Sequence, residues 1–264
     1  MGSVAQRIEQ VRAEGRAALV GYLPVGYPTV EGSVEAMRAM VAGGVDVVEI
    51  GLPYSDPLMD GPVIQRATQQ ALDNGARSRD AFTAVRAVVD AGAPALVMTY
   101  WNLIDRYGIE RFAADLAAAG GSGLITPDLL PDDCDEWLAA SESHDLDRVF
   151  LVAQTTTPER MRMTVEASRG FLYAASLMGV TGVRSVGVEA RDLVARAREV
   201  ATLPVCVGLG VRTAEQAADV ASYADGVIVG TAFVQALESG GPSAVESLAR
   251  ELAEGVRAAE RVSA

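Results

Sequence analysis

Short runs of Val, Ile and Leu recur along the chain, separated by longer stretches in which apolar residues return at helical spacing among Ala, Glu and Arg. The runs predict strands at about 18–23, 45–50, 94–99, 122–126, 148–153, 170–174, 203–207 and 225–229. They are continuously apolar rather than alternating, as strands covered on both faces should be. Helices are predicted over Val34–Ala42, Ser78–Ala91, Glu110–Ala119, Pro158–Ala167 and Thr213–Ala221, several opening on Ser, Thr or Pro. An amphipathic segment at about 3–14 precedes the first strand, and 242–261 reads as a long closing helix. Repeated strand–helix units require right-handed crossovers and a parallel sheet. Eight of them predict a closed (β/α)8 TIM barrel with an extra N-terminal helix, as a single domain over residues 1–264. An open doubly wound sheet is the competing arrangement.

Composition narrows the chemistry. Half of the 264 residues are hydrophobic, enough for a large core, while aromatic residues make up only 5%. The net charge of −13, with no basic run to offset it, repels phosphodiester backbones and argues against nucleic acid. The chain contains no lysine, which excludes a Schiff-base mechanism. Its two cysteines, Cys134 and Cys206, and its single histidine, His144, offer no metal spacing and no histidine-based triad. No apolar run reaches the length of a membrane span and no secretory h-region opens the sequence, so the cytoplasm is the expected location.

In a barrel the chemistry gathers at the carboxyl ends of the strands. The segment from Val47 to Pro62 stands out there, because Glu49 lies inside an apolar strand, where an unpaired carboxylate is costly. It should point to the barrel mouth on the same face as Val47, with a pKa raised by burial, and so serve as a general acid. Pairing with a buried Arg or capping a helix is the alternative. Asp60 sits before Gly61-Pro62, where capping the next helix suits it as well as a functional role does. Asp56 suits shaping the loop through a side-chain-to-backbone bond. Gly208-Leu209-Gly210-Val211-Arg212-Thr213 follows the seventh strand, and Asp225 to Thr231 repeats the plan at the eighth. Backbone N–H groups at Gly210, Gly230 and Thr231, beside helix starts, would bind a phosphate. Glycines needed only for tight turns are the alternative.

The run Glu49-Ile-Gly-Leu-Pro-Tyr-Ser-Asp-Pro-Leu-Met-Asp-Gly-Pro-Val-Ile-Gln65 resembles the signature of the tryptophan synthase alpha chain. Gly26-Tyr27-Pro28, Asn102-Leu103, Pro127-Asp128-Leu129, Gly179-Val180-Thr181-Gly182 and Gly208-Leu209-Gly210 extend the likeness along nearly the whole chain. Met59 stands where a smaller residue is common, and Tyr27 where an acidic one often sits. The resemblance implies a carbon–carbon lyase of tryptophan biosynthesis that cleaves indole-3-glycerol phosphate to indole and glyceraldehyde 3-phosphate by a reverse aldol reaction. It implies Glu49 and Asp60 as catalytic residues and Tyr22, Ile64, Met98, Tyr100, Ile125, Pro127 and Tyr173 as walls of the ring pocket. For the loop at 176–190 it implies closure over the site, with Thr181 contacting substrate and Gly182 near phosphate. It further implies no cofactor in this chain and docking on a beta chain that carries pyridoxal phosphate, as an alpha2-beta2 heterotetramer. A stand-alone indole-releasing lyase, another phosphate-binding barrel enzyme and an idle activating subunit remain as alternatives.

Overall fold

The computed structural model describes residues 4–175, 186–208 and 210–259. Among these, nine short strands form one sheet: β1 (Ala18–Pro24), β2 (Val47–Gly51), β3 (Ala95–Met98), β4 (Gly123–Ile125), β5 (Asp147–Val149), β6 (Leu151–Val152), β7 (Leu172–Ala175), β8 (Val205–Gly208) and β9 (Gly226–Val229). Their order is β5-β4-β3-β2-β1-β9-β8-β7-β6, and every neighbouring pair is parallel. The two ends of that order are consecutive in the chain, on either side of Phe150. One segment therefore closes the ring, pairing first with β4 through Ile125↔Val149 and then with β7 through Leu151↔Tyr173. The expected fifth strand at 148–153 is this segment. It is split because Arg148 exchanges two backbone hydrogen bonds with Arg169 in an antiparallel bridge before β7 takes over. The result is the (β/α)8 barrel.

The described helices are α1 (Val4–Ala13), α2 (Val30–Gly43), α3 (Pro62–Asp73), α4 (Asp80–Asp90), α5 (Trp101–Tyr107), α6 (Ile109–Ala118), α7 (Asp135–Ser143), α8 (Pro158–Ala167), α9 (Val186–Arg198), α10 (Ala214–Ala221) and α11 (Thr231–Ala258). Thr29, Thr157 and Thr213 cap α2, α8 and α10, each side-chain oxygen accepting a first-turn N–H. The predicted closing helix is the second half of α11, set off by non-helical Gly240 and Gly241 just before Pro242. The first half follows β9 directly and belongs to the last strand–helix unit. Helix α10, of only eight residues, is the predicted Thr213–Ala221 segment, whereas α5 and α7, of seven and nine, were not singled out.

Two apolar clusters result. The larger fills the layer between strands and helices. The smaller lies inside the ring, where Val20, Val47, Leu96, Ile125, Val149, Phe171, Cys206 and Ile228 meet Val4, Ile8 and Val11 of α1. Helix α1 thus plugs the amino-terminal end of the barrel with one apolar face. Its tethers are three aspartates buried at that end. Arg7 bonds Asp46 at 2.7 Å, Arg12 pairs with Asp225 at 3.3 Å, and the Val4 N–H donates to Asp147 at 3.0 Å. Asp46 also takes two hydrogen bonds from Arg16, at 2.6 and 3.0 Å, and one from the Leu19 N–H.

Removing a buried acceptor that serves this many donors leaves charge uncompensated. Asp46→Ala should lower the unfolding free energy by about 3 kcal/mol in urea denaturation. Glu246→Ala, which breaks an exposed i,i+4 pair with Arg250, should change it by less than about 0.5 kcal/mol.

Candidate active site

Inward-facing positions of each strand follow a period of two, so the residues above the inner apolar layer line the mouth. On β1 and β2 the next inward pair is Tyr22 and Glu49, which lie in register. Glu49 is completely buried, and among the described residues neither of its carboxylate oxygens has a hydrogen-bond partner. Among these residues it pairs with no Arg and caps no helix. Burial alone pushes its pKa up to about 8, so the carboxyl group holds its proton at neutral pH.

Asp60 lies beyond β2 in the loop that ends at α3. It does not cap that helix: Gly61 occupies the cap position and no side chain bonds the first turn. Its backbone carbonyl accepts a hydrogen bond from Gln65 Nε2 at 2.8 Å, and its partly buried side chain has a pKa raised by desolvation to about 6. Asp56 bonds Ser55 Oγ at 2.6 Å rather than a backbone group.

Phenols surround the two acids. Burial raises the pKa of Tyr22 well above the ordinary value, and the charges of Asp60 and Glu49, with Tyr100 and Tyr173, add to it. Tyr173 on β7 is shifted the same way, by burial and then by Glu49 and Cys206. Tyr22, Glu49, Asp60, Tyr100 and Tyr173 therefore share one electrostatic neighbourhood at the mouth. Two glycines make room for it. A Cβ on Gly51 would sit 2.3 Å from the Tyr22 hydroxyl, and one on Gly208 would sit 2.7 Å from the Tyr173 hydroxyl.

Met98 and Ile125 pair across β3 and β4 on the same inward side, and Pro127 follows two residues past β4. Ile64 lies on α3 and packs, partly buried, against the outer cluster. On the opposite side of the mouth, β8 and β9 run in register. Gly210 follows β8 with φ +66°, and Gly230 is the residue before α11. Thr231 opens α11, so its N–H and that of Ala232 have no acceptor within the helix. Thr181 and Gly182 lie outside the described residues.

Tyr54 and Asn102, which carried the family likeness in the sequence but were given no role there, join the site. The Tyr54 ring packs on Tyr100 with centroids 5.0 Å apart, and Asn102 Nδ2 donates to the Tyr54 hydroxyl at 3.3 Å. Their residue types alone gave no hint of this contact, which joins the loop after β2 to the first turn of α5. No group of acidic, His or Cys side chains suited to a metal ion occurs among the described residues.

Fold and site define a class: a β/α-barrel enzyme with one protonated and one ionisable carboxyl group at the carboxyl-terminal mouth, where glycine-bearing turns also follow β8 and β9. The family model of the tryptophan synthase alpha chain matches residues 8–262. The tryptophan synthase alpha chain of Mycobacterium marinum is 62% identical over 250 residues, covering 94% of this chain and 93% of the relative. That of Acidothermus cellulolyticus is 57% identical over 261 residues, covering 97% and 98%. Among solved structures, tryptophan synthase from M. tuberculosis in its aminoacrylate-bound form superposes with a TM-score of 0.91 at 56% identity, covering 97% of this chain and 100% of that one. Tryptophan synthase subunit alpha from Legionella pneumophila superposes with a TM-score of 0.88 at 32% identity, covering 97% and 99%. The chain belongs to the tryptophan synthase alpha chain family, carbon–carbon lyases of tryptophan biosynthesis that cleave indole-3-glycerol phosphate.

The buried acid has a stability signature. Glu49 binds its proton more tightly in the folded chain, at about 8 against a model-peptide value of 4.5. Between those values the folded state holds a proton that the unfolded state lacks, so stability falls as pH rises. Glu49→Gln should remove that fall. Urea denaturation at pH 5.5 and pH 8 should show the variant gaining on the parent at the higher pH.

Proposed function

We propose that Glu49 and Asp60 divide the chemistry of indole-3-glycerol phosphate cleavage between them. The observation that carries this reading is a fully buried carboxyl group without a hydrogen-bond partner, beside a second one whose pKa lies lower. Indole is a poor carbanion leaving group, and protonating its C3 turns it into an electron sink. Glu49 gives its proton to C3, forming an indoleninium cation. The Asp60 carboxylate accepts a hydrogen bond from the ring N–H and stabilises the positive charge. The Glu49 carboxylate then takes the proton of the glycerol hydroxyl next to the scissile bond. As that oxygen becomes the aldehyde of glyceraldehyde 3-phosphate, the C–C electrons return to the ring and indole leaves. Protons balance, and Glu49 ends as it began. Two carboxyl groups with separated pKa values and separate tasks are a recurring solution for such chemistry.

Tyr22, Ile64, Met98, Tyr100, Ile125, Pro127 and Tyr173 form the ring pocket in this reading. Thr181 binds the substrate, and Gly182, Gly210, Gly230 and Thr231 hold the phosphate through backbone N–H groups. A single barrel domain carries the reaction without a cofactor of its own, in the cytoplasm. Pyridoxal phosphate belongs to the beta chain, which this chain, lacking lysine, docks against in an alpha2-beta2 assembly. The docking face is the mouth. Large apolar side chains stand exposed there on the loops after β2 and β4: Leu58 at 82%, Leu130 at 51% and Met59 at 38%. Exposed apolar clusters of this kind mark interaction surfaces. A stand-alone lyase would have no use for them.

Active enzyme needs Glu49 protonated and Asp60 ionised, so turnover should peak between about 6 and about 8. It should fall below that window as Asp60 gains a proton and above it as Glu49 loses one. Glu49→Gln should cut indole release by about 10²–10⁴-fold with folding intact, the range of proton-transfer catalysis. Near-normal turnover would remove Glu49 from the mechanism. Asp60→Asn should cost about 10²-fold or more.

Docking has its own measurement. Leu130→Asp should abolish co-migration with a beta chain in gel filtration and leave basal indole release within about 2-fold of the parent, as a surface change should. Unchanged co-migration would place the interface elsewhere.

A further inference from the structure

The loop between β2 and Asp60 faces outward with its side chains and inward with its backbone. Leu58 and Met59 expose their side chains, yet their main-chain N–H groups both donate to one atom, the hydroxyl oxygen of Tyr100, at 3.1 and 3.0 Å. Tyr100 is fixed in turn. It stands two residues past β3, its ring is buried, and Tyr54 from the start of the same loop packs against its face, held by Asn102. The next main-chain N–H, that of Trp101, is bound by both carboxylate oxygens of Asp128, at 2.9 and 3.1 Å. Burial pushes the Tyr100 phenol up, and the charges of Asp60 and Asp128 add to the effect, so the group remains a neutral phenol. Two donors on one oxygen fix its position along the loop, and the residue immediately after the second donor is Asp60.

We propose that Tyr100 is a positioning residue of the cleavage reaction: its hydroxyl oxygen sets the place of the Asp60 carboxylate by gripping the N–H groups of Leu58 and Met59. The inference rests on the role given to Asp60 above, and it adds a function to a residue otherwise assigned to the ring pocket. The Leu58 side chain, turned to solvent, offers no substitute for this grip. On the far side of Asp60, the Gln65 bond to its carbonyl and the start of α3 hold the chain. Tyr100 supplies the near-side restraint. A misplacement of about 1 Å in a group that must meet a ring N–H can cost as much as about 10²-fold in rate.

The test is a double-mutant cycle on indole release by the full chain. Tyr100→Phe keeps the ring, its packing on Tyr54 and the pocket wall, and removes only the oxygen. It should lower kcat about 10-fold with KM for indole-3-glycerol phosphate within about 2-fold, because the lost restraint acts on transition-state charge rather than on binding. In an Asp60→Asn background the same substitution should cost less than about 2-fold, since two residues acting through one group are not additive. Equal losses in both backgrounds would overturn the proposal and leave Tyr100 as a structural residue, as would a loss seen only in KM. Asp60→Asn measured alone keeps the two readings apart. Near-normal turnover there removes Asp60, and the Tyr100 proposal with it, whereas a large loss combined with equal Tyr100→Phe effects removes Tyr100 only.

Discussion

A carboxyl group without a partner inside a dry barrel is an expensive thing to keep, and the arrangement around Glu49 is organised by that cost. Ionised, the group would need a cation or donors that the inner layer does not provide. Protonated, it fits among the side chains of neighbouring strands, and its proton is available for transfer. The same environment that raises its pKa gives it a use. Asp60, in a loop with more access to water, feels less of this penalty and is ionised in a range where Glu49 is not. The difference between the two acids is a difference of depth in one mouth.

The inner face of the barrel separates into levels accordingly. Nearest α1 lie Val20, Val47, Leu96 and Phe171, which exclude water from below. Tyr22 and Glu49 stand one inward step higher, with glycines cut away opposite the phenols of Tyr22 and Tyr173. Asp60 and Tyr100 lie higher still, beyond the strand ends. The rigid part of the site is therefore strand, and its adjustable part is loop, which is where Tyr100 reaches across from β3 to hold the segment that follows β2.

Much of this was legible in the residues. The eight apolar runs defined the strands because strands covered on both faces leave an unbroken hydrophobic trace, and only the fifth was altered, where Arg148 and Arg169 bridge before the ring closes. Glu49 stood out because a charge inside Val47-Val48-Glu49-Ile50 is improbable on energetic grounds. Asp60 was ambiguous from spacing alone, and coordinates were needed to show Gly61 at the cap position. The tether made by Tyr100 was not legible at all: it joins a side chain on one loop to backbone N–H groups on another, about forty positions earlier, and backbone donors carry no residue identity. The buried aspartates left a faint trace, an acid at the head of Asp46-Val47-Val48 and of Asp225-Gly226-Val227, read simply as part of a strand.

The anchoring of α1 has a consequence for the order in which the chain is made. Its three attachment points, Asp46, Asp147 and Asp225, are spread across the chain from the second strand to the last. A ribosome therefore releases the stopper of the barrel long before its final socket. Until β9 has emerged, the apolar face of Val4, Ile8 and Val11 has no finished cavity to enter, so a helix made ahead of every strand it seals must wait for the last of them.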